Sequence, residues 1–163
     1  MTLPKLPTAG YQYPLKLLLI GNEDTWNSML SVISDLTPEQ FTYKHPGIKQ
    51  RSIREIISHT LSTQYYFYTE HLVLGQKLSK QDPITQPKDI AEAQKQIINT
   101  YRQVTKLWQQ LKPELFTQEI KTDWGQVMTC ELVLFQSITH THYHVSEINF
   151  LRGLGGFSTQ VMG

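Results

Sequence analysis

A single cysteine, Cys130, is present in 163 residues, so no internal disulfide can form and the fold must rest on packing alone. A lone thiol of this kind is most simply a small buried hydrophobe. Neither sign of charge is in excess. Fifteen Lys and Arg against fourteen Asp and Glu leave a formal +1, without the electrostatic footprint of a nucleic-acid or anionic-membrane binder. Glycine (9) and proline (8) are too sparse for a fibrous or low-complexity chain. Long apolar runs are missing as well: Leu17 to Ile20 is cut off by Gly21, Asn22, Glu23 and Asp24, far short of the roughly 18 residues of a membrane span. No cationic start leads into an apolar stretch and a small-residue cleavage site. The expectation is a soluble, cytoplasmic protein with no membrane and no nucleic-acid partner.

What the sequence does have is material for a core. Hydrophobic residues make up 39% and aromatics 10%, at a length that fits one domain over residues 1–163. Four long helical patterns fill most of it. The first follows Pro14, with Leu15, Leu18, Leu19, Trp26, Met29, Leu30 and Ile33 recurring at helical spacing to about Leu36; Gly21 weakens it and allows a later start. Thr37 opens a connection that runs through Pro46 and Gly47. The second helix begins at Ser52-Ile53-Arg54-Glu55, where hydroxyl and carboxylate are spaced to satisfy each other's amides. Ile53, Ile57, Leu61, Tyr65, Tyr68 and Leu72 give it one apolar stripe, and Gly75 is its stop.

A proline-bearing connection, from Asp82 and Pro83 to Pro87 and Lys88, is long enough to run from one end of a bundle to the other. The third helix covers residues 89–111, with Ile90, Ile97, Ile98, Tyr101, Val104, Thr105 and Trp108 inward and Pro113 closing it. Residues 117–128, with Asp123-Trp124-Gly125, read as an irregular hairpin. The last helix starts at Thr129 as N-cap and runs to Arg152, before Gly153, Gly155 and Gly156. Apolar residues surround most of its circumference, the mark of a central helix. The sum is an all-α four-helix bundle with one long crossover between the second and third helices.

Six histidines are present, three of them in His140-Thr141-His142-Tyr143-His144. His140 and His144 are one turn apart on one face, a spacing at which two imidazoles can bind one ion. His142 is turned to the polar face beside Glu131, Ser146 and Asn149 and is not expected to join them. Gln136 and Ser137 before the pair and Glu147 after it make a polar streak in an apolar helix, costly to bury unless mutually satisfied or coordinating something. The competing reading is a pair of partly buried, hydrogen-bonded histidines. A third ligand must come from elsewhere. His59, at the edge of the polar stripe of the second helix, is the best candidate, against a structural or surface role; His45, in a loop, and His71, on the apolar side, are weaker.

Ser52-Ile53-Arg54-Glu55-Ile56-Ile57-Ser58-His59, followed by His140-Thr141-His142-Tyr143-His144 and Ile148-Asn149-Phe150-Leu151-Arg152, resembles the DinB-like superfamily of small metalloenzymes along essentially the whole chain. That resemblance implies a bundle of up-down-down-up topology and a divalent metal ion, zinc or nickel foremost, held by His59, His140 and His144. The family often has Gly-Gln after the second histidine of the pair, where this chain has Ser146-Glu147. Glu147 is therefore a candidate catalytic base, an acceptor that orients a ligand, or a carboxylate facing water. Three imidazoles leave a coordination position open. Hydrolysis of a small-molecule substrate, or transfer of a low-molecular-weight thiol, follows as the implied chemistry; the alternative is a non-catalytic binding protein with a vestigial site. Relatives pair through helices, so a homodimer is expected, with Tyr65, Tyr66, Phe67 and Tyr68 a possible surface for it.

Overall fold

The computed structural model describes residues 3–4, 10–47, 49–77 and 84–159. The elements are α1 (Leu15–Ile33), α2 (Pro38–Thr42), α3 (Ile53–Ser62) continued by a π-helical segment (Thr63–Val73), α4 (Ile90–Gln109), a 3-10 turn (Pro113–Leu115), β1 (Glu119–Lys121), β2 (Val127–Thr129) and α5 (Cys130–Leu154). Leu15 to Ile33 holds together as one helix through Gly21. That glycine faces α5: a Cβ on it would meet Ile138 Cδ1 at 3.4 Å. α1 stops at Ile33, short of Leu36.

The connection after it contains a helix that periodicity does not show. Thr37 and Gln40 form a capping box around the single turn of α2, whose Phe41 is buried. Ser52 and Glu55 cap α3 in the same way, as their spacing predicts. Asp89 caps α4 by accepting from the Glu92 amide. At α5 Thr129 occupies the N-cap position without a side-chain cap bond. The expected hairpin is present, antiparallel, with Ile120 opposite Met128 and Gly125 at φ +87° in its turn.

Pairs of neighbours give the directions. Gly21 sits by Ile138, Asp24 by His142 and Asp35 by Arg152, so α1 and α5 run parallel. His59 lies by His144 and Gln64 by Ser137, so α3 runs against α5. Asn22 reaches Thr105, and Trp108 reaches Thr69; α4 accordingly runs against α1 and alongside α3. This is the up-down-down-up bundle, and two same-way helices, α3 then α4, require the long crossover between them. Asp82 and Pro83 of that crossover lie outside the described residues.

The core has two halves. Trp26, Ile33, Ile57, Ile97, Tyr101 and Ile148 fill one end; Leu15, Leu19, Trp108, Phe116, Cys130 and Leu134 fill the other. Truncating one of the buried tryptophans to alanine removes about 3–5 kcal/mol. Both of these indoles have a polar partner. Trp26 Nε1 donates to Asn22 Oδ1 at 2.9 Å, and Trp108 Nε1 donates to Thr69 Oγ1 at 3.2 Å. α5 is not enclosed on all sides, contrary to its composition: Leu132, Phe135 and Phe150 are exposed. No helix among the described residues is long and apolar enough to cross a membrane.

Candidate metal centre

α3 and α5 cross the middle of the bundle in opposite directions, which sets His59 against the His140–His144 pair. The ring centroids lie 4.5 Å apart for His140 and His144, 4.9 Å for His59 and His144, and 5.6 Å for His59 and His140. One ligand nitrogen from each ring falls within 4.8 Å of the other two. The structure thus brings together all three residues singled out by spacing and resemblance. The remaining histidines lie elsewhere. His142 is 3.7 Å from Asp24, and His71 bridges the Gln76 carbonyl oxygen and the Asp123 carboxylate. His45 accepts from the Gly47 amide in its loop.

His144 is 2% exposed, and its Nδ1 is 2.7 Å from Glu147 Oε2. Glu147 thus stands behind the His144 ring as a hydrogen-bond acceptor. With Nδ1–H donating to the carboxylate, the other nitrogen, Nε2, carries the lone pair. That Nε2 lies 3.2 Å from His140 Nε2. Two lone pairs facing each other at this distance repel unless a proton or a cation lies between them. Tetrahedral zinc, with Zn–N of about 2.0–2.1 Å, sets its ligand nitrogens roughly 3.3 Å apart, so the spacing fits. His140 Nδ1 is buried without a partner, and Thr63 Oγ1 is 3.5 Å from His59 Nδ1. The donor set of three imidazoles suits zinc, nickel, copper or iron.

Electrostatics favour the neutral, ligand-ready rings. Burial is the leading cause that takes His59, His140 and His144 down to about 4, and the Arg51 cation works in the same direction on all three. For His140 the neighbouring His144 adds to it. Arg51 immediately precedes the Ser52 cap, and only its sequence position next to that cap hints at a place near the site.

The polar streak on α5 finds its partner on the π-helical segment. Leu74 N–H donates to the Thr69 carbonyl and Thr69 Oγ1 to the Gln64 carbonyl at 2.9 Å, each five residues back. Gln64, in the first turn of this wider winding, faces the core and is fully buried, while Tyr65 beside it is half-buried. Gln64 Nε2 donates to Ser137 Oγ at 3.2 Å and its Oε1 accepts from Thr141 Oγ1 at 3.4 Å. Ser137 and Thr141 bracket His140, so Gln64 ties the α5 backbone at the ligand to α3's continuation. Tyr65, Tyr66 and Phe67 are half-buried, and Tyr68 is buried against His140.

Parallel outer helices, a long crossover and three convergent imidazoles on the second and last long helices define a class: a helical bundle built around a candidate metal centre. The chain belongs to the DinB superfamily, whose family model matches residues 22–148. It is similar to YfiT from Bacillus subtilis, a probable metal-dependent hydrolase with an unusual four-helix bundle topology, at 16% identity and a TM-score of 0.71, over 96% of this chain and 95% of that one. The DinB-like protein YjoA of B. subtilis superposes with a TM-score of 0.65 at 14% identity, over 89% and 96%. The mycothiol-dependent maleylpyruvate isomerase matches more weakly, with a TM-score of 0.57 at 13% identity, over 83% of this chain and 60% of that one. A comparison with curated proteins finds no match.

Proposed function

We propose that this protein is a metal-dependent hydrolase of small-molecule substrates, with His59, His140 and His144 holding one divalent ion. The observation that carries the reading is the pair of Nε2 atoms 3.2 Å apart with Glu147 behind one of them. Three neutral imidazoles, the cluster of ligating side chains found there among the described residues, are the donor set of reactive rather than closed structural sites. When bound, such an ion acts as a Lewis acid on an added ligand.

The chain's own residues do the rest. Glu147 holds the His144 ring in one tautomer and one orientation, and Gln64 fixes the backbone on either side of His140. Arg51 adds positive potential, which favours anionic ligands over cationic ones. YfiT, the probable metal-dependent hydrolase, shares this fold. A second reading, transfer of a thiol to an electrophile, rests on the likeness to a mycothiol-dependent enzyme. In that case the thiol comes from outside, since Cys130 is buried and burial pushes its thiol up to about 11.

Metal analysis of protein prepared without an affinity tag tests the proposal. One ion per chain is expected, lost in His144→Ala, together with turnover of an ester or amide panel that a chelator abolishes. Wild-type protein that stays metal-free after incubation with zinc and with nickel defeats it. Turnover confined to thiol-plus-electrophile pairs selects the second reading.

A further inference from the structure

The three ligand rings differ in what stands behind them. His144 Nδ1 has the Glu147 carboxylate at 2.7 Å, and His59 Nδ1 has the Thr63 hydroxyl at 3.5 Å. His140 Nδ1 is buried and has no hydrogen-bond partner among the described residues. One turn before it on α5, Gln136 is in the complementary condition: its Oε1 is buried and accepts from nothing described. A buried donor position and a buried acceptor, each costly to leave open, thus stand four residues apart on one helix.

We propose that Gln136 is a positioning residue for His140, its amide oxygen accepting the Nδ1 proton when a metal ion holds Nε2. The inference rests on the three-histidine site proposed above and adds a residue to its support. His140 Nε2 lies 3.2 Å from His144 Nε2, which makes it the ligand nitrogen and leaves Nδ1 to carry the hydrogen. A ligating imidazole nearly always donates that other N–H to a fixed acceptor, which sets its tautomer and its ring plane.

Helical geometry puts Gln136 on the right side. It lies about 40° round α5 from His140, and Glu147 lies about 60° round from His144 in the same sense, so the two acceptors flank the pair on one side. Side chains of a helix lean toward its N-terminus, which carries the His140 ring over the turn that holds Gln136. The other polar neighbours of His140 are occupied elsewhere. Ser137 and Thr141 lie on the opposite flank and are bonded to Gln64.

Zinc competition against a chelator on the full chain, with Gln136→Leu and Gln136→Glu beside the wild type, tests the assignment. Leucine keeps the bulk and removes the acceptor, so zinc affinity should fall about 10–100-fold. Glutamate restores an acceptor and should bind zinc at least as tightly as the wild type. A merely structural side chain would show in the metal-free protein. Because Oε1 holds nothing described there, the urea midpoint of metal-free Gln136→Leu should be no lower than that of the wild type. Proton NMR of the zinc-loaded protein with isotope-labelled histidine gives the signature: the His140 Nδ1 proton, downfield in the wild type and in Gln136→Glu, should move upfield in Gln136→Leu. A Gln136→Leu chain that binds zinc as tightly as the wild type overturns this inference alone. So does a Gln136→Glu chain as weak as the leucine variant, or a fall in the metal-free midpoint that matches the loss of affinity. A wild type that takes up no zinc overturns it together with the site on which it rests.

Discussion

Glu147 Oε2 accepts from His144 Nδ1 at 2.7 Å, one turn along α5, and so decides which nitrogen of that ring is free. Sequence spacing left this carboxylate open to a role as an orienting acceptor, as a base or, favoured over both, as a water-facing group; the structure sets it behind a 2% exposed ring. Glu147→Gln keeps the shape and removes the charge. Metal affinity, read by competition with a chelator, should fall about 10–100-fold while urea unfolding of the metal-free protein stays within about 0.5 kcal/mol. Unchanged affinity would mean that the carboxylate does not support the ligand.

Zinc should stabilise the folded chain. At a free concentration a hundred times its dissociation constant, one bound ion adds about 2.7 kcal/mol. Thermal or urea unfolding of the wild type should shift accordingly. His59→Ala and His140→Ala should each lose most of the shift, because the three nitrogens that lie within 4.8 Å of each other are then reduced to two.

Gln64 is fully buried and bonded to two hydroxyls of α5. Gln64→Ala opens a cavity and removes the bonds that join α5 to the π-helical segment, while the Ser137 and Thr141 hydroxyls keep the Leu134 and Ser137 carbonyls, for a loss of about 2–3 kcal/mol in denaturant unfolding. Gln64→Glu places a carboxylate in the same enclosed position and should be at least as damaging. A near-neutral Gln64→Ala would show that the segment is wound differently in solution.

Arg152 is buried at the end of α5, where its guanidinium donates to both carboxylate oxygens of Asp35 at 2.8 Å and to the Val32 carbonyl at 2.7 Å. Arg152→Met should cost about 3 kcal/mol, since the Val32 carbonyl loses its donor and the helix ends lose their tie. Asp35 is 42% exposed and can turn to water, which keeps the loss at the lower end for a buried pair. Equilibrium unfolding in urea reads the difference.

His71 is raised above its ordinary value, first by the Gln76 carbonyl and then by Asp123. A raised folded value means that the charged ring stabilises the protein fully below about 6.5, the unfolded value, and that the contribution fades as pH climbs through the folded one. The ring and its partner are both partly exposed, so the amount is under about 1 kcal/mol. The stability gap between wild type and His71→Gln should be wider at pH 5.5 than at pH 8.5. An equal gap at both would place the proton elsewhere.

The helices that anchor the site were readable because their signals are local. Ser52 and Glu55 fix the start of α3 by a spacing that needs no tertiary context, and His140 and His144 share a face by helical geometry alone. That His59 meets them depends on where α3 crosses α5, which sequence does not give; its place at the edge of the polar stripe made it the best candidate, and the resemblance to relatives implied the full set. The π-helical stretch was illegible: its apolar pattern also satisfies an ordinary helix, and the two windings differ in backbone bonds, such as Leu74 N–H to the Thr69 carbonyl, that leave no mark in the sequence. α2 escaped for a related reason, since a one-turn helix has no period, although Thr37 and Gln40 carried the same capping signal as Ser52 and Glu55. The outer face of α5 misled in the opposite direction, because composition counts apolar residues and does not say which of them meet a neighbour.

The change of winding at Ser62 also divides one continuous rod into two independently phased halves. His59 belongs to the upper half and the Gln64–Thr69 platform to the lower, so an amino acid lost between residues 63 and 73 would tighten the coil there without turning the imidazole above it. The length of the lower half can therefore change by one position while the ring that faces α5 keeps its aim.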